Sequence, residues 1–248
     1  MKILMLILAS NGGEKEIYTR LQYEIWRNYM HLYPDVIDAY FYKCNPLITE
    51  EYIIDGDTVY VKCDNSYPIT LKRLQLVLKA FNLDEYDFIL RPNLSSFFIL
   101  DKYIEYMYTI PTVNTCTSYM WAPNSKSVYA YPSGAGFTIS RDIAKYIVTN
   151  TIIPNNEGID DVSIGTILNH LKSNILPHPM IFITCKEHRS WLDILYNNKS
   201  YQDFPSNKVF HVRIFHEDVN RTDRAEDDIK IHYELLDYVT RSKSQHPC

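Results

Sequence analysis

Residues 3–9, ILMLILA, form an unbroken apolar run that stops at the turn residues SNGG, Ser10 to Gly13. A strand apolar on both faces has to be covered on both, which is the environment of an inner strand in a parallel sheet. The residues that follow fit that demand. Ile17, Leu21, Ile25, Tyr29 and Leu32 recur at helical spacing, and Pro34 closes the series. DVIDAYFYKC then reads as a second strand and TVYVKC as a third; between Ile69 and Leu83, Leu71, Leu74, Val77, Leu78 and Phe81 share one helical face. YDFILR reads as a further strand and FFILDKYIEYMYTI as a helix. Strands alternating with helices at this spacing predict an α/β fold with a mixed, mostly parallel central sheet flanked by helices.

The second half is less regular. YPSGAGFTIS reads as a loop running into a strand, with Ser140 capping a helix through Val148 and Asp142 in its first turn. NNEGIDDVSIGTILNHL reads as a loop entering a helix, PMIFITC and KVFHVRIF as strands, and Ile229, Tyr233 and Leu236 mark a C-terminal helix. There are no repeats, low-complexity linkers or composition breaks, so 1–248 reads as one domain.

The first apolar run also invites comparison with a signal peptide. It is too short to span a bilayer, and no clean small-x-small cleavage pattern follows. No other stretch is long and apolar enough to cross a membrane, so a soluble, cytoplasmic chain is expected. A formal charge of −5 and a pI near 5.9, with no Lys/Arg block, argue against nucleic acid as a partner. The five cysteines, Cys44, Cys63, Cys116, Cys185 and Cys248, are scattered and never form C-x-x-C. They read as free thiols in a reducing compartment rather than disulfides or a zinc site.

Ligands of open α/β sheets bind beyond the carboxyl ends of the strands. The segments expected there are the loop holding Ser10 and Asn11, RPNLSS after YDFIL, PSGAG, and the loop before Asp160. Neither G-x-G-x-x-G nor G-x-x-x-x-G-K-[ST] occurs, which removes support for a dinucleotide fold or a P-loop NTPase. The stretch YPSGAGFTISRD places two of the seven glycines within three residues. Either the backbone turns sharply there, or something lies close against it. The DGD of Asp55 to Asp57 has the letters of a metal motif but the position of a surface turn.

Four blocks in order resemble the β-1,3-galactosyltransferase and fringe family of inverting glycosyltransferases. DNSYPITLKRLQLVLKAF resembles its Asp-x-Tyr-x-Asn-Leu-Thr-x-Lys helix entry, and YDFILRPNLSSFF occupies the place of its strand and acidic triad. YPSGAGFTISRD is similar to Tyr-x-Ser-Gly-Gly-Gly-Tyr-x-x-Ser-x-Asp, and DDVSIG to Glu-Asp-Val-x-x-Gly. The likeness spans about residues 60 to 166. It implies a single GT-A domain of Rossmann-like, nucleotide-sugar-binding type, with a nucleotide-binding half at about 1–110 and an acceptor-side half at about 111–248. It further implies transfer of a sugar from a nucleotide sugar, a UDP-sugar by preference, to a glycan hydroxyl with inversion. Without an anchor, a microbial or viral member is expected.

One departure matters. The acidic triad that holds a divalent cation in the family is replaced by Asn93, Leu94 and Ser95. Neutral oxygens serve hard cations poorly. A manganese or magnesium ion is therefore weakly held, or completed by other residues, or the diphosphate is neutralised by cations such as Arg91.

Inverting transfer needs a carboxylate base and stabilisation of the leaving diphosphate. Asp160 and Asp161 are a paired acid at a helix start; one would sit at the cap, and Asp161 is the expected base. The resemblance places Ser133, Gly134, Ala135 and Gly136 beside the donor sugar, together with Ser10, Asn11, Arg91, Asn93 and Ser95. Lys72 reads either as a donor contact or as a solvated helix charge. His211 and Arg213 share a strand face and read as diphosphate or metal contacts, or for His211 as a hydrogen-bonded interior residue. Trp191 in EHRSWLDILY reads as a sugar-stacking platform or a core residue. A non-catalytic nucleotide-sugar-binding or assembly protein of the same fold, or a sugar nucleotidyltransferase, are the alternatives.

Overall fold

The computed structural model describes residues 1–9, 16–64, 71–123, 128–150, 159–183, 209–214 and 224–245. These gather into two compact units, each drawn from separated parts of the chain: 1–11, 34–93 and 110–178 in one, and 12–33, 94–109 and 179–248 in the other.

The first unit is built on an eight-stranded sheet of order β3-β4-β2-β1-β5-β8-β7-β9. Its strands are β1 (Ile3–Leu8), β2 (Ile37–Cys44), β3 (Tyr52–Asp55), β4 (Thr58–Val61), β5 (Phe88–Pro92), β7 (Thr115–Trp121), β8 (Tyr131–Ser140) and β9 (Asn174–Pro177); β6 lies in the second unit. β1 pairs in parallel with both β2 and β5, and β2 with β4. Only β3 and β8 run against the rest. The apolar run of β1 is buried along its whole length, as its lack of a polar face demands. Three helices pack over the sheet: α2 (Leu71–Leu78), α4 (Arg141–Thr149) and α5 (Asp160–Leu171). Their inward stripes, including Leu74, Val77, Ile143, Ile147, Ile164 and Ile167, share a core with Leu4, Leu6, Phe137 and Ile139.

The second unit holds a three-stranded sheet of β6 (Ser96–Phe98), β10 (Met180–Ile183) and β11 (His211–Ile214), in the order β10-β11-β6. Its helices are α1, α3 (Leu100–Met107) and α6 (Arg224–Gln245), where α1 runs as Glu16–Arg20, a wider π-type turn at Leu21–Trp26, and Arg27–Tyr29. Its core is aromatic. Tyr29 stacks on Phe97 with ring centroids 4.7 Å apart, and Phe98 packs edge-on to Tyr103 at 5.7 Å.

Several local expectations change. Phe97 and Phe98 belong to a strand, not to the helix, which begins at Leu100. β3, β7 and β9 had no strong periodic signal: β3 is a short edge strand with Ile53 and Ile54 both partly exposed, and β7 carries polar Thr and Ser on both faces. Asp55 to Asp57 make the β3–β4 hairpin, with Gly56 at φ 56°, so the DGD letters serve a turn. Ser140 does stand before α4, but its Oγ accepts the Thr115 N–H at 3.0 Å rather than capping the helix.

Cys44 and Cys63 are joined by a disulfide with Cα atoms 5.0 Å apart, which corrects the free-thiol reading. Their spacing of 19 residues lay outside any recognised pair pattern, and only the folding of β4 beside β2 brings them together. Closing a loop of that length restricts the unfolded chain and adds about 3 kcal/mol of stability. A persistent disulfide is also at odds with a reducing compartment. Cys116 is a free thiol in the core, its pKa pushed up to about 12 by burial. No described helix is long and apolar enough to cross a membrane.

Candidate active site

β1 ends at Leu8 and β5 at Pro92, and the first half of β8 lies at the same edge of the sheet. Here the glycine-bearing segment takes a form the sequence did not suggest. It is not a loop ahead of a strand but an interruption within one. Ser118 of β7 faces Phe137, and Met120 already faces Pro132, so the single residue Tyr119 stands opposite Ser133, Gly134, Ala135 and Gly136. Extra residues on one strand bulge out and reset which face each side chain takes.

The bulge is held from every side. The Ser118 hydroxyl accepts the Ser133 N–H at 3.1 Å and donates to the Gly136 carbonyl at 2.9 Å. Ala135 N–H donates to Ser133 Oγ at 3.3 Å, while the Ala135 carbonyl accepts from Asn93 N–H at 3.1 Å. The Gly134 carbonyl accepts from Arg91 Nη1 at 2.6 Å and from Asn93 Nδ2 at 3.1 Å. Its N–H donates to Asp161 Oδ2 at 3.1 Å.

That last bond explains the glycine. A Cβ on Gly134 would lie 2.8 Å from Asp161 Oδ2. Something does approach the backbone closely, and it is the protein's own carboxylate. Gly134→Ala is therefore expected to push Asp161 off the bulge while the sheet stays folded. The check is the backbone amide of position 134 in NMR spectra of the parent, Gly134→Ala and Asp161→Asn: both variants should lose the carboxylate-shifted signal of the parent.

Asp160 and Asp161 open α5 in its first turn, and Ile159 occupies the cap without a side-chain bond. Neither aspartate is thus a cap. Both make local bonds, Asp160 Oδ1 accepting Asp161 N–H at 3.0 Å and Asp161 Oδ1 accepting Val162 N–H at 2.8 Å, and both favour the helix dipole. Beyond that they diverge. Asp160 is buried and its Oδ2 takes Arg91 Nη2 at 2.5 Å. Arg91 is buried too, donates through Nε to the Tyr42 hydroxyl at 3.2 Å, and lies over the Phe137 ring. Burial alone would lower the Arg91 pKa, but Asp160 and Tyr42 more than reverse this, so it stays a cation. The anion that Arg91 meets in the folded chain is Asp160.

Asp161 is half-buried and forms no ion pair among the described residues. Its pKa is raised, first by burial and then by the neighbouring charge of Asp160, with its backbone bonds and Arg91 acting the other way. The pair is therefore split into a neutralised, structural carboxylate and a second one with enhanced proton affinity. This is the division of labour that acid–base sites use.

α5 also comes unusually close to β8. A Cβ on Gly165 would stand 2.5 Å from Tyr131 Cβ and 2.8 Å from the Ala130 carbonyl. The glycine that ends DDVSIG is there so that the helix can lie directly on the strand and seat its first turn against the bulge.

Asn93 joins this arrangement through Gly134 and Ala135, but Ser95 belongs to the second unit, where its Oγ accepts from Arg213. His211 is buried in that unit and stacked on Phe98 at 4.2 Å. Lys72 is exposed on α2, and its neighbour Arg73 is the residue that turns inward, donating to the Asp64 carbonyl at 3.1 Å. Burial lowers the Arg73 pKa, with Tyr42 and Asp160 opposing. Its spacing from Leu76 and Val77 was the available signal. Tyr42 and Ser118 gave none, being ordinary strand residues. Ser10, Asn11 and Trp191 lie outside the described residues.

No group of three or more His, Cys, Asp or Glu is placed to hold a metal ion among the described residues. At the bulge, Asp160 Oδ2 is taken by Arg91 and Asp161 Oδ2 by the Gly134 amide, while Asn93 donates through Nδ2 to the Gly134 carbonyl. Those residues do not by themselves fit a divalent cation.

No family model matches the chain, and no curated protein does. Among solved structures, the chain is similar to one described as a glycosyltransferase involved in the glycosylation of the major capsid of PBCV-1. The two share 13% identity and a TM-score of 0.50 across 93% of this chain and 99% of that one. The likeness is one of fold: a mixed, mostly parallel sheet flanked by helices.

Proposed function

We propose that this chain is an inverting glycosyltransferase of GT-A type, moving a sugar from a nucleotide sugar, a UDP-sugar by preference, to a glycan hydroxyl. The observation that carries the reading is Asp161, a half-buried carboxylate of raised pKa held by the Gly134 amide at the carboxyl edge of the parallel strands. The four motif blocks resembling the galactosyltransferase and fringe family, and the fold likeness to a viral glycosyltransferase, support it.

In this reading the acceptor oxygen attacks the anomeric carbon from the face opposite the diphosphate. The new C–O bond forms as the bond from the anomeric carbon to the diphosphate breaks, and the hydroxyl proton passes to Asp161. Inversion follows from the single in-line displacement. Asp160 is turned away from this role, its Oδ2 being taken by Arg91 in the interior. It acts instead on Asp161, raising that carboxylate's proton affinity and holding its amide. A cation, if bound, would stabilise the departing diphosphate.

Incubation with a panel of UDP- and GDP-sugars tests the reading, with release of the nucleoside diphosphate as readout. Hydrolysis or transfer with at least one donor is expected, and activity should survive EDTA better than in a relative that carries the acidic triad. Complete loss in EDTA with rescue by manganese would place a cation on residues other than Asn93. Absence of turnover and of a donor-induced rise in melting temperature would remove the enzyme reading.

A further inference from the structure

Half-exposed aromatic rings stand at the same edge of the sheet as Asp161. Tyr119 and Trp121, two residues apart on β7, turn to one face and meet edge-on with centroids 5.2 Å apart. Trp121 is 40% exposed, and Tyr129, at the start of the return to β8, is 39% exposed. Trp121 faces Tyr131 directly in the β7–β8 pairing, and Tyr131 is the residue against which Gly165 of α5 lies.

Two routes measure how far these rings are from the carboxylate. Along β8, Tyr131 is three residues from Gly134, whose N–H binds Asp161. Along α5, Gly165 touches Tyr131 and lies one turn after Asp161. With about 3.3 Å per strand residue, about 1.5 Å per helix residue and about 5 Å across the strand pair, both place Trp121 on the order of 10–15 Å from Asp161, within reach of a second linked pyranose ring. Tyr119 itself stands opposite the bulge that holds Gly134, so the pair of rings borders the segment to which Asp161 is bound.

We propose that Tyr119 and Trp121 form an acceptor subsite, stacking on the face of a pyranose ring one sugar removed from the hydroxyl that reacts at Asp161. The inference rests on the glycosyltransferase reading and adds to it that the acceptor is at least a disaccharide. The exposed part of Trp121, 40% of its surface, amounts to about 100 Å², given that such side chains bury roughly 150–250 Å². A stable protein partner needs about 800 Å² per side, so the patch is the size of a sugar face and not of a protein interface. The indole and phenol rings also suit the mixed surface of a pyranose, with apolar C–H groups on its face and hydroxyls at its rim.

The test compares p-nitrophenyl monosaccharides of glucose, galactose and N-acetylglucosamine with the corresponding β-linked disaccharides, using the donor identified by hydrolysis. Trp121→Ala should raise KM for the preferred disaccharide about tenfold, with kcat and the monosaccharide KM changing less than twofold. Trp121→Phe should restore most of the loss. A folded Trp121→Ala with the same disaccharide KM as the parent overturns the subsite. A second readout does not need turnover: the Trp121 indole N–H signal, assigned from Trp121→Phe, should shift on adding millimolar disaccharide alone. A shift in a protein without transfer activity would uphold the subsite and defeat the enzyme reading; no shift in an active protein would do the reverse.

Discussion

Asp161→Asn should lower kcat by about 10²–10⁴-fold, the usual worth of a positioned base, with little change in donor affinity. The amide keeps the volume of the carboxylate but cannot take up the acceptor's proton. It also replaces one of two accepting oxygens, so either the Gly134 or the Val162 amide loses its partner. The loss is at the chemical step, and steady-state kinetics with saturating donor separates it from binding. The parent enzyme should show a matching acid limb. Activity needs Asp161 ionised, so kcat falls as pH drops through its pKa, which burial and Asp160 set above the ordinary aspartate range. The sign for stability runs the other way. A raised folded-state pKa means the native chain binds this proton more tightly than the unfolded chain does, so the site favours folding as pH falls through that value and disfavours it above. Asp161→Asn should therefore flatten the acid limb without lowering the melting temperature as Asp160→Asn does. A variant with unchanged kcat would show that the carboxylate only braces the bulge.

Asp160→Asn should be the variant that damages the fold. Arg91 and Asp160 form a buried ion pair, 2% and 3% exposed, and removing the carboxylate leaves a guanidinium in the interior facing an amide. Breaking such a pair costs about 3–5 kcal/mol because one buried charge is left uncompensated. A helix cap alone, which the sequence suggests for this residue, would cost nearer 1 kcal/mol. Denaturant melts of the two aspartate variants distinguish these accounts. A midpoint for Asp160→Asn within error of Asp161→Asn would mean that Arg91 finds another anion. The double replacement Arg91→Met with Asp160→Leu should recover much of the loss, since it removes both charges together.

These two results bear on how the carboxylates could be told apart. Chain order places both at a helix start, and only the resemblance of DDVSIG to a family block singles out Asp161. Their difference comes from Arg91, 69 residues away in sequence, which β5 delivers to one carboxylate and not to the other. Arg91 itself was legible as a cation at the ligand edge, since it follows a buried apolar strand. What it would meet was not legible, because an interior arginine and an anion-binding arginine have the same neighbours in sequence. The same limit applies to Lys72 and Arg73, where a rotation of one helical step decides which cation enters the interior.

The apolar run of β1 and the alternation of strands with helices were enough to determine an α/β sheet that is mostly parallel, because burial on both faces leaves a strand few other environments. The glycine pair left two readings for residues 133 to 136, a sharp turn or something lying close to the main chain. Tertiary structure alone decided between them. β8 runs antiparallel between β5 and β7, and its bulge turns Gly134 toward α5, so the approaching group is Asp161. It also decided the Cys44–Cys63 bond, which depends on β4 pairing beside β2 and on no local signal. Periodicity reports which face of an element is buried, whereas a bulge, an ion pair and a disulfide depend on where distant elements meet, and that is set only when the chain closes on itself.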